Sequence, residues 1–379
     1  MKMSKKVILK KDRTNMAKFA SMSKIILFIL AAIMLSCSHQ SDQKSVIISS
    51  ELPQYAKGFK INLLADSSYQ IILLNPESVT DTVEIIHVPK VLLENISCLS
   101  TTHVAMIDQL DRLDHLKGIS FADRVKNLNA QSAFQRGEII NLSTDRDLDD
   151  EILIGLKTNL LFVYPFGGED YSKFTKSEIL VVPISEYMEG HPLGRAEWIK
   201  VFGLLLGEKE KADQLFEDLK NRYLALANLV NKNTKNRPSV FTGFYDNGDW
   251  YAPAGNGFVA QFLKDAGSNY IFADSLHSGN LKIPFELLYE KVYETDTWIK
   301  IFYSTTTPSR EQITGEDSRL IKIKSFREGN IFYCNTADND YFGDAIMEPE
   351  VLLADLINCF HPELLTGRKN KYYKKINSI

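Results

Sequence analysis

Cysteine is scarce in this chain: four residues in 379, at positions 37, 98, 334 and 359. Their wide spacing fits no zinc motif, and free cysteines of this kind usually end as small buried residues. Histidine is sparse as well. The seven, His39, His87, His103, His115, His191, His277 and His361, are scattered with no His-rich tract, whereas a bare divalent ion needs about three or four converging ligands. There is no G-x-x-x-x-G-K-[ST], no G-x-S-x-G and no H-E-x-x-H, so an enzyme is not expected and no cofactor is implied. Basic charge is missing from most of the length. Of 44 Lys and Arg, eight lie in the first 36 residues, against one of the 48 Asp and Glu, so the remainder carries about -11. That acidic balance argues against a nucleic-acid partner, whose phosphates demand a basic face. Low-complexity segments and an evident internal repeat are absent too.

What is present begins with the N-terminus. Basic residues end at Lys24, and IILFILAAIML, Ile25 to Leu35, follows. That run is too short for a membrane span, which takes about 20 residues, and right for the apolar core of an export signal. Ser36-Cys37 comes next. A small residue before Cys at this point resembles a bacterial lipobox, although Met34 stands where Leu is commonest; an ordinary secretory signal with an incidental Cys is the alternative. Met16 and Met22 are alternative starts. The resemblance implies acylation of Cys37 and a protein in the cell envelope, in the periplasm and lipid-anchored to a membrane. Three cysteines then remain, an odd number that cannot all pair internally.

The body is organised around EKEKADQLFEDLKNRYLALANLVN, Glu208 to Asn231. Ala212, Leu215, Phe216, Leu219, Tyr223, Leu226, Ala227 and Val230 recur in steps of three and four, one stripe of an uninterrupted helix about 36 Å long. Segments of similar length flank it, each alternating strand-like and helix-like runs. Two α/β lobes joined by one long rigid helix are expected, a long surface helix on a single domain being the alternative. The boundaries read as a signal at 1–36, a polar tether at 37–57, strands at 58–90, an N-lobe at 91–207, the linking helix at 208–231, a C-lobe at 237–365 and a basic tail at 366–379.

Within the N-lobe, Ser100 to His103 read as a strand-to-helix turn. Thr101 or Thr102 caps a helix presenting Val104, Ile107, Leu110 and Leu113 and stopping at Gly118. Such a turn is where open α/β sheets bind ligands; His103 either meets a ligand there or caps and packs. Acids at 145–151 precede another helix, and Gly167-Gly168 close a strand. Glu186, Tyr187 and Arg195 flank a Pro-Gly turn. In the C-lobe, Trp250 and Tyr251 fall in DNGDWYAPAGNG, which reads as a turn-rich loop, poorly placed for core packing and suited to a ligand. A helix is expected from about Phe258 to Asp265 and another from Arg319 to Phe326.

Several stretches together resemble the periplasmic ferric-siderophore and cobalamin binding proteins of ABC importers, lipoproteins of the Bacteroides type in particular. They are STTH after the first lobe strand, DLDDEILIGLKTNLLFVY, PLGRAEWIKVFGLLLGEKEKA, WYAPAGNGFVAQFLKDAG, FELLYEKV and EPEVLLADLINCFHPELL. The likeness spans about Val91 to Leu365; Thr158-Asn159 departs from the family's usual Pro-Asp, and the early strands lie outside its two-lobe core. It implies a class III periplasmic binding protein fold with a ligand in the inter-lobe cleft, lined by Thr101, Thr102, His103, Tyr187, Arg195, Tyr245, Trp250, Tyr251 and Tyr341. It implies a ferric siderophore as ligand, with Arg195 suited to an anionic chelate and the aromatics to a bulky one, or else cobalamin or another corrinoid, haem or a bare metal. It also implies a partner permease dimer with its ATPase, docked through Glu151 and Glu286 to paired Arg pockets, and a monomer otherwise, while the continuous helix itself predicts little closure on binding. Handing ligand to an outer-membrane receptor from the cell surface is the further alternative.

Overall fold

The computed structural model describes residues 46–376 except 145–146, 166–170, 176–177, 278, 311 and 313–316. Cys37, the export segment and Gly167-Gly168 lie outside the described residues.

The first element is an antiparallel sheet of β1 (Ile47–Glu51), β2 (Phe59–Leu64), β3 (Tyr69–Asn75) and β4 (Ser78–His87), in that order. Period-two alternation sends Phe59, Ile61, Ile71 and Leu73 into the main core, where Phe59 meets the Trp198 ring edge to face at 5.3 Å. The segment expected as a polar tether therefore ends earlier than its composition suggests. Residues 47–51 pair with β2, and residues 54–58 are held by two buried carboxylates. Glu197 accepts the amides of Gln54 and Tyr55 at 2.8 Å and Ala56 at 3.0 Å. Glu189 accepts those of Lys57 at 3.0 Å and Gly58 at 2.9 Å, together with the Trp198 indole at 3.0 Å.

The N-lobe follows. β5 (Ile96–Cys98) leads to α1 (Thr101–Gln109), then β6 (Leu116–Ile119), α2 (Leu128–Gln135), β7 (Ile140–Asn141), α3 (Asp150–Gly155), β8 (Leu160–Val163) and β9 (Leu180–Pro183). The strands are parallel in the order β9-β8-β5-β6-β7. As expected of a parallel sheet covered on both sides, β8 is apolar throughout: Leu160 and Phe162 join the main core, Leu161 and Val163 a smaller one with Leu142 and Leu153. The helix expected to reach Gly118 stops at Gln109. Asp111 turns left-handed at φ 55, and Gly118 belongs to β6. A Cβ there would sit 2.5 Å from Leu142 and 2.9 Å from the Ser97 hydroxyl, so glycine serves strand packing and not a helix end.

Two short helices, α4 (Pro192–Glu197) and α5 (Ile199–Leu205), lead to α6 (Lys209–Asn233), 25 residues without a break. Of its expected stripe, Ala212, Phe216, Leu219, Tyr223, Ala227 and Val230 are buried, and Leu215 and Leu226 pack partly buried at the edge. Gly203 lets α5 cross it closely, since a Cβ there would lie 2.4 Å from that of Ala212. One end of α6 is tied to the N-lobe by Arg112–Glu208 at 2.6 Å, and its middle to the C-lobe by Tyr223, whose hydroxyl donates to Asp265 at 2.7 Å.

The C-lobe is β10 (Ser239–Phe241), β11 (Phe244–Asp246), β12 (Asp249–Pro253), α7 (Phe258–Asp265), β13 (Asn269–Tyr270), β14 (Asn280–Pro284), α8 (Phe285–Val292), β15 (Thr297–Phe302), β16 (Ile331–Asn335), α9 (Pro349–Phe360) and β17 (Lys374–Lys375). Its main sheet runs β13-β10-β15-β16-β17, parallel except for the last pair, and β11-β12-β14 form a separate antiparallel sheet. The two lobes thus keep separate sheets on either side of one rod. The helix expected at 319–326 is split into a 3-10 turn at Ser318–Lys322 and a single turn at Lys324–Arg327. The C-terminal basic segment is docked: Tyr372 and Tyr373 are buried, and their amides donate to the buried Asp355 at 2.6 and 3.2 Å. Among the described residues no helix is long and apolar enough to cross a membrane.

Candidate functional site

Each lobe's strand order reverses once. In the N-lobe the reversal lies between β5 and β8, in the C-lobe between β10 and β15. Open α/β sheets bind ligands beyond the carboxyl ends of the strands at such points. The residues there are Pro165 after β8, Thr242 and Gly243 after β10, and Ile301 near the end of β15, and all four line one cleft of about 860 Å³. That is at the upper end of the range for small-molecule sites.

Six aromatic rings face this cleft: Tyr187, Phe244, Tyr251, Phe258, Tyr341 and Phe342. Phe244 and Tyr251 are cross-strand partners on β11 and β12, stacked at 5.3 Å and 11°. Tyr187 leans on Tyr164 at 4.3 Å and donates to the Pro165 carbonyl at 3.1 Å. Tyr341 and Phe342 stand edge to face on the loop after β16. A contact between lobes holds that loop: the Thr101 hydroxyl donates to the Phe342 carbonyl at 2.7 Å. Asn75 at the end of β3, Glu77 in the turn that follows and Val83 on β4 also line the cleft. No Lys, Arg or His is among its described lining residues.

Of the residues expected to line the cleft, Tyr187, Tyr251 and Tyr341 do so. Trp250 does not. It is fully buried, its indole donates to the Thr242 carbonyl at 3.1 Å, and its ring packs on Phe241 and Trp298. The reason is a two-residue hairpin: Asn247 and Gly248 take left-handed φ of 49 and 91, which converts the expected loop into β11 and β12 and alternates Trp250 inward, Tyr251 outward. Tyr245, on the same hairpin, packs edge-on against Phe285 at 5.7 Å and is absent from the lining. His103 is a core residue, fully buried between Phe162 and Phe202; burial holds its imidazole neutral, with the pKa lowered to about 3. Ser100, not Thr101 or Thr102, caps α1 by accepting from the Thr102 amide.

Thr102 and Arg195 line a separate, much smaller cavity of about 20 Å³ that shares Phe258 and Tyr341 with the cleft. There the Thr102 hydroxyl donates to the buried Glu186 at 2.7 Å, and the Arg195 guanidinium lies 4.2 Å above the Phe258 ring. Burial raises the Glu186 pKa and lowers that of Arg195, and each charge opposes the other's shift. Arg195 thus stacks on Phe258 in this side cavity and is not among the residues lining the main cleft. Glu186, noted in the sequence only as flanking a turn, is buried together with Glu189 and Glu197, a burial that local sequence does not signal. Burial raises the Glu189 pKa against its hydrogen-bond donors.

Glu151 is exposed in the first turn of α3, whose N-cap is Asp149. Glu286 is exposed in the first turn of α8, 3.4 Å from Arg319, which binds Asp317 more closely at 2.7 Å. Among the described residues no three His, Cys, Asp or Glu converge as a metal site.

A family model described as periplasmic binding protein matches residues 96–335. An uncharacterized lipoprotein of Methanocaldococcus jannaschii is 27% identical over 314 residues, covering 79% of this chain and 72% of its own. Three solved structures share the fold. A periplasmic binding protein from Veillonella parvula has TM-score 0.59 at 16% identity, covering 72% of this chain and 94% of that one. A periplasmic heme binding protein from Pseudomonas aeruginosa has TM-score 0.57 at 15% identity, covering 76% and 99%. A protein described as an ABC-type Fe3+-hydroxamate transport system, from Saccharomonospora viridis, has TM-score 0.54 at 16% identity, covering 74% and 97%.

Proposed function

Because the chain belongs to the periplasmic binding protein family, a family of solute-binding proteins and not of enzymes, we propose that it is the capture component of an ABC importer. Its cargo is a bulky metal chelate with apolar faces, held between the lobes: a ferric siderophore that is neutral or cationic, or a corrinoid. One observation carries this reading. The cleft of about 860 Å³ is walled by six aromatic rings and offers no cationic side chain among its described lining residues, which suits π-faces and amide-rich ligands and disfavours a polyanion. The lack of a converging ligand set among the described residues favours a metal already chelated over a bare ion. The relatives described as binding haem and as serving Fe3+-hydroxamate transport lend the same direction.

Delivery passes through Glu151 and Glu286, one exposed carboxylate on each lobe, meeting arginine forks on the two halves of a permease. The anchor is the acylated Cys37, outside the cytoplasmic membrane. Calorimetric titration with ferrioxamine B, ferric enterobactin, cyanocobalamin and haem tests the ligand class: saturable binding of a neutral or cationic chelate is expected, weakened about tenfold or more by Tyr251→Ala through loss of stacking area. Tight binding of ferric enterobactin alone would overturn the charge argument. In cells, Glu151→Ala with Glu286→Ala is expected to abolish uptake at unchanged affinity; reduced affinity would place these residues in ligand binding instead.

A further inference from the structure

The family match begins at residue 96, yet three residues of the ligand cleft, Asn75, Glu77 and Val83, precede it. We propose that the N-terminal sheet is a third wall of the cleft, and that the Glu77 carboxylate selects ligands presenting a positive charge or amide donors. This rests on the reading of the cleft given above and adds to it the element and the residue that sort cargo by charge.

Three features make this turn a built wall. The first is its attachment. The Leu74 amide donates to the Gly58 carbonyl at 2.7 Å, and the Gly58 amide donates to Glu189, itself a cleft residue. Pro76 packs so closely on Gly58 that a Cβ there would lie 3.0 Å from the proline and 2.6 Å from Trp198. The turn is thus bonded to the N-lobe core through a two-step chain. The second feature is the register. β3 and β4 pair Leu73 with Glu84 but Leu74 with Thr82 and Asn75 with Ser78. Val83 is the unpaired residue of one bulge, and Val79 to Asp81 of another. Bulges re-aim side chains and are common beside binding sites. Here Val83 is turned out, half exposed at 49%, and placed at the cleft.

The third feature is the charge. The Asn75 side chain accepts the Glu77 amide at 3.0 Å, an Asx turn that fixes the backbone carrying Glu77. The Glu77 side chain is exposed and has no hydrogen bond or ion pair to any described residue. Glu189, the other carboxylate of the lining, is occupied by backbone amides and the Trp198 indole. Glu77 is therefore the free charge at an opening whose other described lining residues, Glu189 apart, are aromatic, aliphatic or neutral polar. A carboxylate in that position attracts a cationic chelate, accepts from carboxamide N–H groups and repels a polyanion.

The experiment is titration of the purified protein and its Glu77→Gln, Glu77→Lys and Val83→Ser variants with cationic ferrioxamine B, carboxamide-bearing cyanocobalamin and anionic ferric enterobactin. All three substitutions are at exposed positions, so the fold is retained. A unit charge about 4 Å away in water-like surroundings is worth roughly fivefold in affinity. For ferrioxamine B, Glu77→Gln is expected to weaken binding about fivefold and Glu77→Lys about twentyfold, the difference closing near 1 M salt. Ferric enterobactin is expected to move the other way. Cyanocobalamin is expected to lose affinity in Glu77→Lys and Val83→Ser. If the Glu77 and Val83 variants leave every affinity within twofold while Tyr251→Ala weakens binding, the cleft stands and the third wall falls. If Tyr251→Ala also changes nothing, or no probe binds, the cleft reading fails and takes this inference with it.

Discussion

His103 makes the folded protein sensitive to acid in a way that can be worked out beforehand. Its ring is enclosed by Phe162 and Phe202, and burial lowers its pKa from 6.5 to about 3 against a smaller opposing contribution from the Phe162 backbone. Between those values the unfolded chain binds a proton that the folded chain refuses, so stability falls as pH falls. The contribution is whole above pH 6.5 and is lost on the way down to about pH 3. At about 1.36 kcal/mol per unit, the full span amounts to about 5 kcal/mol, and the step from pH 7 to pH 5 to about 2 kcal/mol. Replacing His103 with Leu, similar in size and apolar, removes the titration. The assay is urea unfolding followed by circular dichroism at half-unit steps between pH 7 and pH 4. The wild type minus His103→Leu difference is expected to slope toward the variant by about 2 kcal/mol by pH 5. A difference independent of pH would mean that the ring titrates normally and that the enclosure is not maintained in solution.

Glu197→Ala strands the amides of Gln54, Tyr55 and Ala56 and leaves Lys200, 3.4 Å away, without its buried partner. A loss of about 3–5 kcal/mol is expected in urea unfolding, with earlier protease cleavage between residues 51 and 58; a loss under about 1 kcal/mol would contradict the clamp. Gly243→Ala is expected to cost about 2–4 kcal/mol and to weaken ligand binding, because φ is 130 there and a Cβ would lie 2.3 Å from the Tyr251 carbonyl; wild-type stability in a thermal melt would show that the backbone has room to move.

The parts of the molecule that could be read in the sequence are those whose signal is local. The α6 stripe needs no knowledge of its partners, because steps of three and four residues place Phe216, Leu219 and Tyr223 on one side wherever the core lies. The turn after β5 announces itself by Ser, Thr and Thr at a helix start. The hairpin that buries Trp250 was also legible. Asn247-Gly248 between aromatic runs is a strong two-residue turn signal, and it was outweighed by the density of Asp, Gly, Asn and Pro around it. The burial of His103 and of Glu186, Glu189 and Glu197 was not legible. Each depends on a group distant in sequence: Phe202 for His103, Thr102 for Glu186, the backbone of residues 54–58 for the other two. The reach of Asn75, Glu77 and Val83 into the cleft depends likewise on tertiary placement and on a bulge that strand periodicity does not encode.

The α6 rod has a consequence for how cargo is told apart. Tyr223 is bonded across to Asp265, and Phe216 and Ala212 are buried in the main core; a continuous helix held in this way resists hinge bending, so a small difference between empty and loaded shapes is the expected outcome. On that expectation discrimination does not reside in whether the jaws shut. It resides in the lining itself, with the lifetime of the complex set by how well ring faces and rim charge fit the guest and its eviction left to whatever grips the protein from outside.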